Sequence, residues 1–226
     1  MSERATAMPP CPAPGDTLPR ATLIVPDLRL EQALAAKCGA GCVAGIDEAG
    51  RGALAGPVFA AAVALPLDDP LLMTALAGVR DSKLLSAAAR ERLFPLICER
   101  ALAYGIGQAS AATIDRFGIL PATRLAMINA ARALSPAATA LLIDGPIRLT
   151  AVALPQRAVI RGDQQSVSIA AASILAKVSR DRALIALDER YPGYGFAQHK
   201  GYGTAAHRRA LAALGPCPEH RLTFRF

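Results

Sequence analysis

The sequence predicts a single α/β domain, in which short buried strands and amphipathic helices share one chain. The first observation is size and composition, because 226 residues with 53% hydrophobic content are enough to bury one core. The second is a set of short apolar runs that end at Gly, Pro or an acidic residue, which is typical of buried strands. The third is a set of longer segments with apolar residues at helical spacing. Strands and helices mixed along one chain indicate the α/β class.

The N-terminal segment differs from the rest of the chain in composition. Residues 1–27 contain six prolines and little apolar periodicity, which predicts a disordered tail. The folded domain is therefore predicted over residues 28–226.

The first half of this domain is predicted to contain two helices and two strands. Leucines at helical spacing from Leu28 predict a short helix that ends near Gly39–Gly41. Two apolar runs predict buried strands over Cys42–Ile46 and Val58–Leu65. The second helix is predicted from its N-cap, Ser86, to Ala103.

The second half is predicted to contain three more helices and two more strands. Its longest helix has apolar residues at i, i+3, i+4 and i+7, and Pro192 ends it. The predicted elements are, in order, a helix over Leu120–Leu134, strands over Ala140–Ile143 and Ala158–Ile160, the long helix over Ser166–Glu189, a loop over Gly193–His199, and a last helix over Thr204–Ala213 with Thr204 as its cap.

The net charge and the cysteines limit the function classes. A formal charge of +7 makes a polyanion partner plausible, although charge alone does not exclude a basic protein that binds nothing. Five cysteines without a C-x-x-C pair favour a reducing, cytoplasmic location over a disulfide framework. No apolar stretch is long and unbroken enough to cross a bilayer, so no membrane partner is expected. Nothing demands an oligomer, so a monomer is expected.

Acidic residues follow three of the predicted strands. Asp47 and Glu48 end the first strand, Asp144 ends the third, and Asp163 lies between the fourth strand and the long helix. Carboxylates beside a core are uncommon unless they are paired or bind a cation, and Mg²⁺ and Mn²⁺ prefer oxygen ligands. We therefore predict that these four acids form a site for two divalent ions, an arrangement that can hydrolyse a phosphodiester.

Each acid also has a purely structural interpretation. Asp47 could cap a turn, Asp144 could begin an Asp-Gly-Pro turn, and Asp163 could cap the long helix. Neighbours on a strand face opposite ways, so Asp47 and Glu48 can share a site only if the strand ends or bends there. The glycines that follow would permit such a bend.

The loop Gly50-Arg51-Gly52 follows the first acidic pair. Its glycines let the backbone pass close to a ligand, and Arg51 can meet a phosphate. Such a loop could also supply donors and acceptors to a ribose 2′-hydroxyl. A tight turn without a ligand is the alternative.

The C-terminal part is rich in basic residues and contains all three histidines. From residue 200 onward one acid, Glu219, accompanies five basic residues, which predicts a nucleic-acid surface around Tyr202; a solvated basic helix is the alternative. The histidines lack metal-ligand spacing and are expected at phosphate contacts or on the surface. The five basic residues are Lys200, Arg208, Arg209, Arg221 and Arg225, and the three histidines are His199, His207 and His220.

Lys177 is the basic residue of interest on the long helix. It lies four residues before Asp181, so it is expected either to pair with that acid or to approach a phosphate backbone. Ser173 is four residues away, which is not the spacing of a Ser–Lys nucleophile.

Ordered sequence blocks carry a resemblance to the ribonuclease HII family. The most specific block, Ala-Gly-Ile-Asp-Glu-Ala-Gly-Arg-Gly-Ala-Leu-Ala-Gly-Pro-Val, runs from Ala44 to Val58 and resembles the family's signature. The similarity extends from about residue 28 to the C-terminus. The other blocks are Asp81-Ser-Lys-Leu-Leu-Ser86, Ile114-Asp-Arg116, Ile143-Asp-Gly145, Arg161-Gly-Asp163, Ser168–Asp181, Gly195–Thr204 and His220-Arg221.

The resemblance implies an RNase H-like fold, with a central mixed sheet flanked by helices and a small helical C-terminal part. It implies an endoribonuclease that cleaves the RNA strand of RNA–DNA hybrids and nicks duplex DNA 5′ to an embedded ribonucleotide, leaving 3′-hydroxyl and 5′-phosphate ends. The implied role is the removal of misincorporated ribonucleotides and RNA primers.

The resemblance also assigns roles to individual residues. The catalytic positions would be Asp47, Glu48, Asp144 and Asp163, of which the first three would bind Mn²⁺ or Mg²⁺. The substrate-binding positions would be Gly50, Arg51 and Gly52 at the 2′-hydroxyl, Tyr202 at the following sugar, and Lys177.

Three departures from the family's pattern lie outside the four acids. Ala53 replaces a usual proline, Leu84 replaces a common second lysine, and Phe117-Gly118 stands where asparagine is usual. Two other functions stay open from sequence: a metal-dependent nuclease or phosphatase without ribose selectivity, and a module that binds RNA–DNA hybrids without cutting them.

Overall fold

The computed structural model describes residues 25–39 and 41–225 and contains a five-stranded mixed sheet. Its strand order is β3-β2-β1-β4-β5, with β2 antiparallel to β1 and β3, and with β1, β4 and β5 parallel. The predicted α/β class and mixed sheet are therefore confirmed. The strands are β1 (Val43–Ala49), β2 (Val58–Ala64), β3 (Ala103–Ala109), β4 (Ala140–Asp144) and β5 (Gln156–Val159).

Helices cover both faces of this sheet. α5 packs on the face that carries Ala44 and Ile46, and α6 packs on the opposite face, which carries Ala61 and Val63. With both faces covered, polar side chains can reach solvent mainly at the strand ends. The helices are α1 (Arg29–Cys38), α2 (Leu72–Ala75), α3 (Ala87–Arg100), α4 (Ala111–Phe117), α5 (Ile119–Arg132), α6 (Val167–Arg190), α7 (Phe196–His199) and α8 (Ala205–Leu214).

The helix termini follow the capping signals of the sequence. The side chains of Ser86, Ser166 and Thr204 each accept a hydrogen bond from the backbone N–H three residues later, which confirms Ser86 and Thr204 as caps. Gly39 ends α1 in the left-handed conformation, with φ of 57°.

The structure differs from the sequence prediction in several regions, among them the unpredicted α2 and β5, which spans Gln156–Val159 instead of Ala158–Ile160 because those residues pair with β4. β1 continues to Ala49 instead of ending at Ile46, because β2 stays paired with it to that residue. The helix expected to reach Ala103 ends at Arg100, and β3 and α4 follow it without having been predicted. The expected loop over Gly193–His199 contains the short helix α7.

The C-terminal part packs on the second half of α6. Its buried cluster joins side chains of α6, α7, α8 and their connections with Ala55 of the β1–β2 connection, which confirms a small helical C-terminal part. The cluster contains Ala55, Leu184, Tyr194, Phe196, Leu211 and Cys217.

The predicted tail lies almost entirely outside the described residues, so its disorder stays a prediction. Of residues 25–27, Asp27 forms an isolated bridge with Ser166. Within the described ranges, no helix is long and apolar enough to span a membrane.

Candidate active site

A pocket of about 550 Å³ opens at the C-terminal ends of β1 and β4. Every predicted site residue except Asp163 lines it, and Asp163 contacts it through Lys83, whose Nζ is 3.7 Å from Asp163 Oδ2. The pocket is lined by Asp47, Glu48, Ala49, Gly50, Arg51, Gly52, Ser82, Lys83, Ile119, Asp144, Lys177, Tyr202 and Phe224.

The sheet topology explains why these acids meet. β1 and β4 are parallel neighbours with Ile46 beside Ile143, so Asp47 and Asp144 follow at adjacent strand positions. Beyond Ile46, β1 has no paired residue on its β4 side. Asp47 and Glu48 therefore both line the pocket, at the point where the pairing of β1 with β4 has ended although β1 itself continues to Ala49.

The electrostatics of the acids are unfavourable without a cation. Burial, followed by the charges of Glu48 and Asp144, raises the pKa of Asp47 well above its usual value. Burial and the charges of Asp81 and Asp144 raise the pKa of Asp163 to about 6. Burial also raises the pKa of Glu48 despite its contact with Arg51. Carboxylates that share a site in this way favour a bound cation.

The hydrogen bonds of the acids leave oxygen atoms for such a cation. Asp47 Oδ1 accepts from the Glu48 N–H at 2.7 Å, and Asp144 Oδ1 accepts from the Gly162 N–H at 2.6 Å. Glu48 Oε1 accepts from Arg51 Nη1 at 3.1 Å, whereas its Oε2 is buried without a hydrogen-bond partner. Such oxygen donors suit Mg²⁺ or Mn²⁺. In the part of the chain that the structure describes, no group of three or more His, Cys, Asp or Glu side chains is arranged so that it could hold a metal ion.

Lys83 and Asp81 lie beside the four acids, although their sequence pattern predicted no role for them. The Lys83 Nζ lies 4.0 Å from Asp81 Oδ1 as well as near Asp163. Asp81 is buried and accepts from the Lys83 N–H at 2.9 Å. The Asp-Ser-Lys block was the available signal, but nothing in its spacing indicated that it would face the four acids.

Two buried arginines hold the stretch from Arg51 to Pro57, which includes the end of the Gly50–Gly52 loop. Arg180 donates to the carbonyls of Pro57, Lys200 and Ala55 at 3.1, 2.8 and 3.0 Å. Arg221 donates to the Arg51 carbonyl at 2.9 Å and twice to Gly56. Arg221 is fully buried, so its expected place on a basic surface is wrong.

Tyr202 and Lys177 stand together at the pocket. The expected ion pair is confirmed, since Lys177 Nζ is 2.6 Å from Asp181 Oδ1. The same Nζ lies 5.5 Å from the centre of the Tyr202 ring, and the Arg180 guanidinium carbon lies 5.2 Å from it. The tyrosine ring is thus bordered by two cations.

The histidines form an internal network beside Tyr202. The Cys217 N–H donates to His220 Nδ1 at 2.9 Å, so His220 Nε2 can donate to His207 Nε2, 3.1 Å away. His207 Nδ1 then donates to the Tyr202 carbonyl at 3.0 Å. The rings are neutral in this arrangement, and burial lowers the pKa of His207 to about 4 and also lowers that of His220.

Because His207 and His220 are buried, the expectation of phosphate contact or surface exposure is wrong for both. Their hydrogen bonds instead fix the backbone that carries Tyr202.

Known proteins share both the sequence and this fold. Residues 44–226 match the family model described as Ribonuclease HII. A ribonuclease HII of Chloroflexus aurantiacus is 56% identical over 201 residues, which are 89% of this chain and 94% of that protein. One of Syntrophotalea carbinolica is 57% identical over 183 residues, 81% of this chain and 85% of that protein. The solved ribonuclease H2 of Pyrococcus horikoshii OT3 superposes with a TM-score of 0.68 at 25% identity, covering 81% of this chain and 94% of that chain.

Proposed function

The chain belongs to the ribonuclease HII family, and from that premise we propose that it cleaves the RNA strand of RNA–DNA hybrids and nicks duplex DNA 5′ to embedded ribonucleotides. The observation that carries the proposal is the pocket itself. Three acids, the glycine loop and Tyr202 line one opening, and a fourth acid lies beside it.

The acids are proposed to hold two divalent ions. Asp47, Glu48 and Asp144 would supply the metal-binding oxygens, and Asp163 would complete the catalytic set. When bound, Mg²⁺ or Mn²⁺ supplies a Lewis acid that activates water and stabilises the leaving oxygen. The buried Oε2 of Glu48 and the raised pKa of Asp47 support this assignment.

The loop and Tyr202 are proposed to select ribose. The loop backbone at Gly50–Gly52 would contact the 2′-hydroxyl, and a Cβ at Gly52 would meet no atom within 4 Å, so the loop is open to a ligand there. Tyr202 would pack on the next sugar. Lys177 and Lys83, which line the same pocket, would attract the phosphates, as Arg51 would if it leaves Glu48.

Attack of water on the phosphorus, with the P–O3′ bond breaking and O3′ taking up a proton, would leave 3′-hydroxyl and 5′-phosphate ends. That reaction suits the removal of misincorporated ribonucleotides and RNA primers. A cytoplasmic location, a monomeric state and a tail over residues 1–27 that is separate from the catalytic domain over 28–226 are parts of the same proposal.

The test is cleavage of a labelled DNA duplex that contains one ribonucleotide, with an all-DNA duplex as the matched control. In Mg²⁺ or Mn²⁺ we expect a single nick on the 5′ side of the ribonucleotide and an intact control. Equal cleavage of the two duplexes would instead indicate a nuclease without ribose selectivity. Binding in chelator with no cleavage in either metal would indicate a binding module.

A further inference from the structure

One carboxylate holds the C-terminal end of the described chain against the catalytic core. Asp115, on α4, accepts hydrogen bonds from the Leu222 N–H at 3.0 Å, the Thr223 N–H at 3.0 Å and the Thr223 hydroxyl at 2.8 Å. Burial opposes the ionisation of Asp115, but these hydrogen bonds outweigh it and lower its pKa. We call this contact the Asp115 clamp.

Phe224 comes directly after Leu222 and Thr223, the two residues that the Asp115 clamp holds, and it lines the pocket. The Phe224 N–H donates to the Arg221 carbonyl at 2.9 Å, and the Arg221 guanidinium carbon lies 5.2 Å from the centre of the Phe224 ring. The ring packs against the core cluster under α5 and lines the pocket together with Ile119, the first residue of that helix. The segment from Arg221 to Phe224 is therefore held at its first residue by the burial of Arg221 and at Leu222 and Thr223 by Asp115.

The pocket consequently has two walls of different chemistry. Lys177 reaches it from α6, on one face of the sheet, and Lys83 adds a second ammonium group. Ile119 and Phe224 reach it from the α5 side and are apolar, and Glu48, on the same face of β1 as Ile46, is the charged side chain that lines the pocket beside them. In a nucleic-acid strand the phosphates are attracted to cations, whereas sugars and bases offer apolar faces that stack on aromatic rings.

We propose that Phe224 and Ile119 form an apolar contact for the sugar and base of a nucleotide beside the scissile one. Asp115 is the positioning residue that holds Phe224 in place. This inference rests on the proposed function, since a nucleic-acid strand must occupy the pocket.

The test compares kcat and KM for the single-ribonucleotide duplex. Phe224→Ala should raise KM about tenfold, the scale of losing an aromatic contact to a nucleotide, and should leave kcat unchanged. Phe224→Leu should restore most of the loss. Asp115→Ala should also raise KM, and adding it to Phe224→Ala should cost nothing further, because both changes remove one contact.

Controls separate a lost contact from a lost fold. Leu120→Ala removes an exposed side chain next to Ile119 that does not line the pocket, and should leave KM unchanged. If Phe224→Ala lowers Tm strongly, Ile119→Ala probes the same wall and should raise KM in its place.

An inactive wild-type protein would contradict the proposed function and this inference with it. An active wild type with unchanged KM in both wall variants would overturn this inference alone, and additive effects of Asp115→Ala and Phe224→Ala would overturn the positioning role.

Discussion

Asp163 carries the clearest electrostatic consequence of the site at the scale of one residue. Its pKa rises to about 6 from a usual 3.8, because it is buried near other acids. Above about pH 6 the carboxyl group is ionised in both the folded and the unfolded chain. Only in the folded chain is this charge buried near other acids, so its ionisation lowers the free energy of unfolding by a cost that the folded state alone carries. As pH falls from about 6 towards 4, the folded form takes up a proton first and the cost disappears.

We therefore expect Asp163→Asn to stabilise the metal-free protein at neutral pH. The gain in the free energy of unfolding should be up to about 3 kcal/mol at pH 7.5 and should vanish near pH 4. Urea denaturation of both proteins in chelator, at several pH values, measures it. His207 titrates in the same range with the opposite sign, but it is present in both proteins and cancels in the difference. A gain that is the same at every pH would contradict the electrostatic origin.

The residues of the site differ in how well the sequence predicts their place. Asp47 and Asp144 could be predicted to lie together, because each directly follows a short apolar run that is typical of a buried strand, and both would then lie at strand ends. Arg180 and Arg221 could not, since a buried arginine bonded to carbonyls looks in sequence like any surface arginine. The same holds for His207, because nothing in the local sequence shows that its two ring nitrogens meet Tyr202 and His220.

At the scale of elements, β3 shows why local signals fail. Gly105 and Gly107 make the segment a weak strand candidate, yet α5 requires them. A Cβ at Gly107 would lie 2.2 Å from the Ala126 carbonyl oxygen, and one at Gly105 would lie 2.3 Å from that of Ala130. Glycine is needed at both positions because α5 packs closely on β3. The residues of α5 lie farther along the chain, so the sequence around Gly105 and Gly107 does not reveal this contact.

The Gly50–Gly52 loop and α6 are linked in the same way. Gly50 has φ of +94°, and a Cβ there would lie 1.9 Å from Arg180 Nε, whereas Gly52 has open space. We expect Gly50→Ala to lower the free energy of unfolding by about 2 kcal/mol or more, because it combines overpacking with backbone strain. Gly52→Ala should change it by less than about 0.5 kcal/mol.

Thermal or urea denaturation of the two alanine variants measures this difference. Equal stability of both would show that Gly50 is needed only for the ligand and not for packing against Arg180.

At the scale of the whole molecule, the fold brings distant parts of the chain to one edge of the sheet. β1 and β4 supply acids, α6 supplies Lys177, and the C-terminal part supplies Tyr202 and Phe224. Composition and periodicity predict the class and a metal site. The proposed ribose preference and the proposed side of the cut rest on the resemblance to a family, because residue spacing alone does not show where a phosphodiester would lie.

The central claim is that this pocket is where the chain cleaves nucleic acid, and Asp144→Asn tests it most directly. The variant keeps the size of the side chain and removes its charge, and Asp68→Asn, in an exposed loop, is the matched control. In the single-ribonucleotide assay Asp144→Asn should cut at least about a hundredfold more slowly, the scale of losing one group that stabilises transition-state charge. Asp68→Asn should cut at the wild-type rate, and both variants should unfold no earlier than wild type. Wild-type cleavage by folded Asp144→Asn would contradict the account.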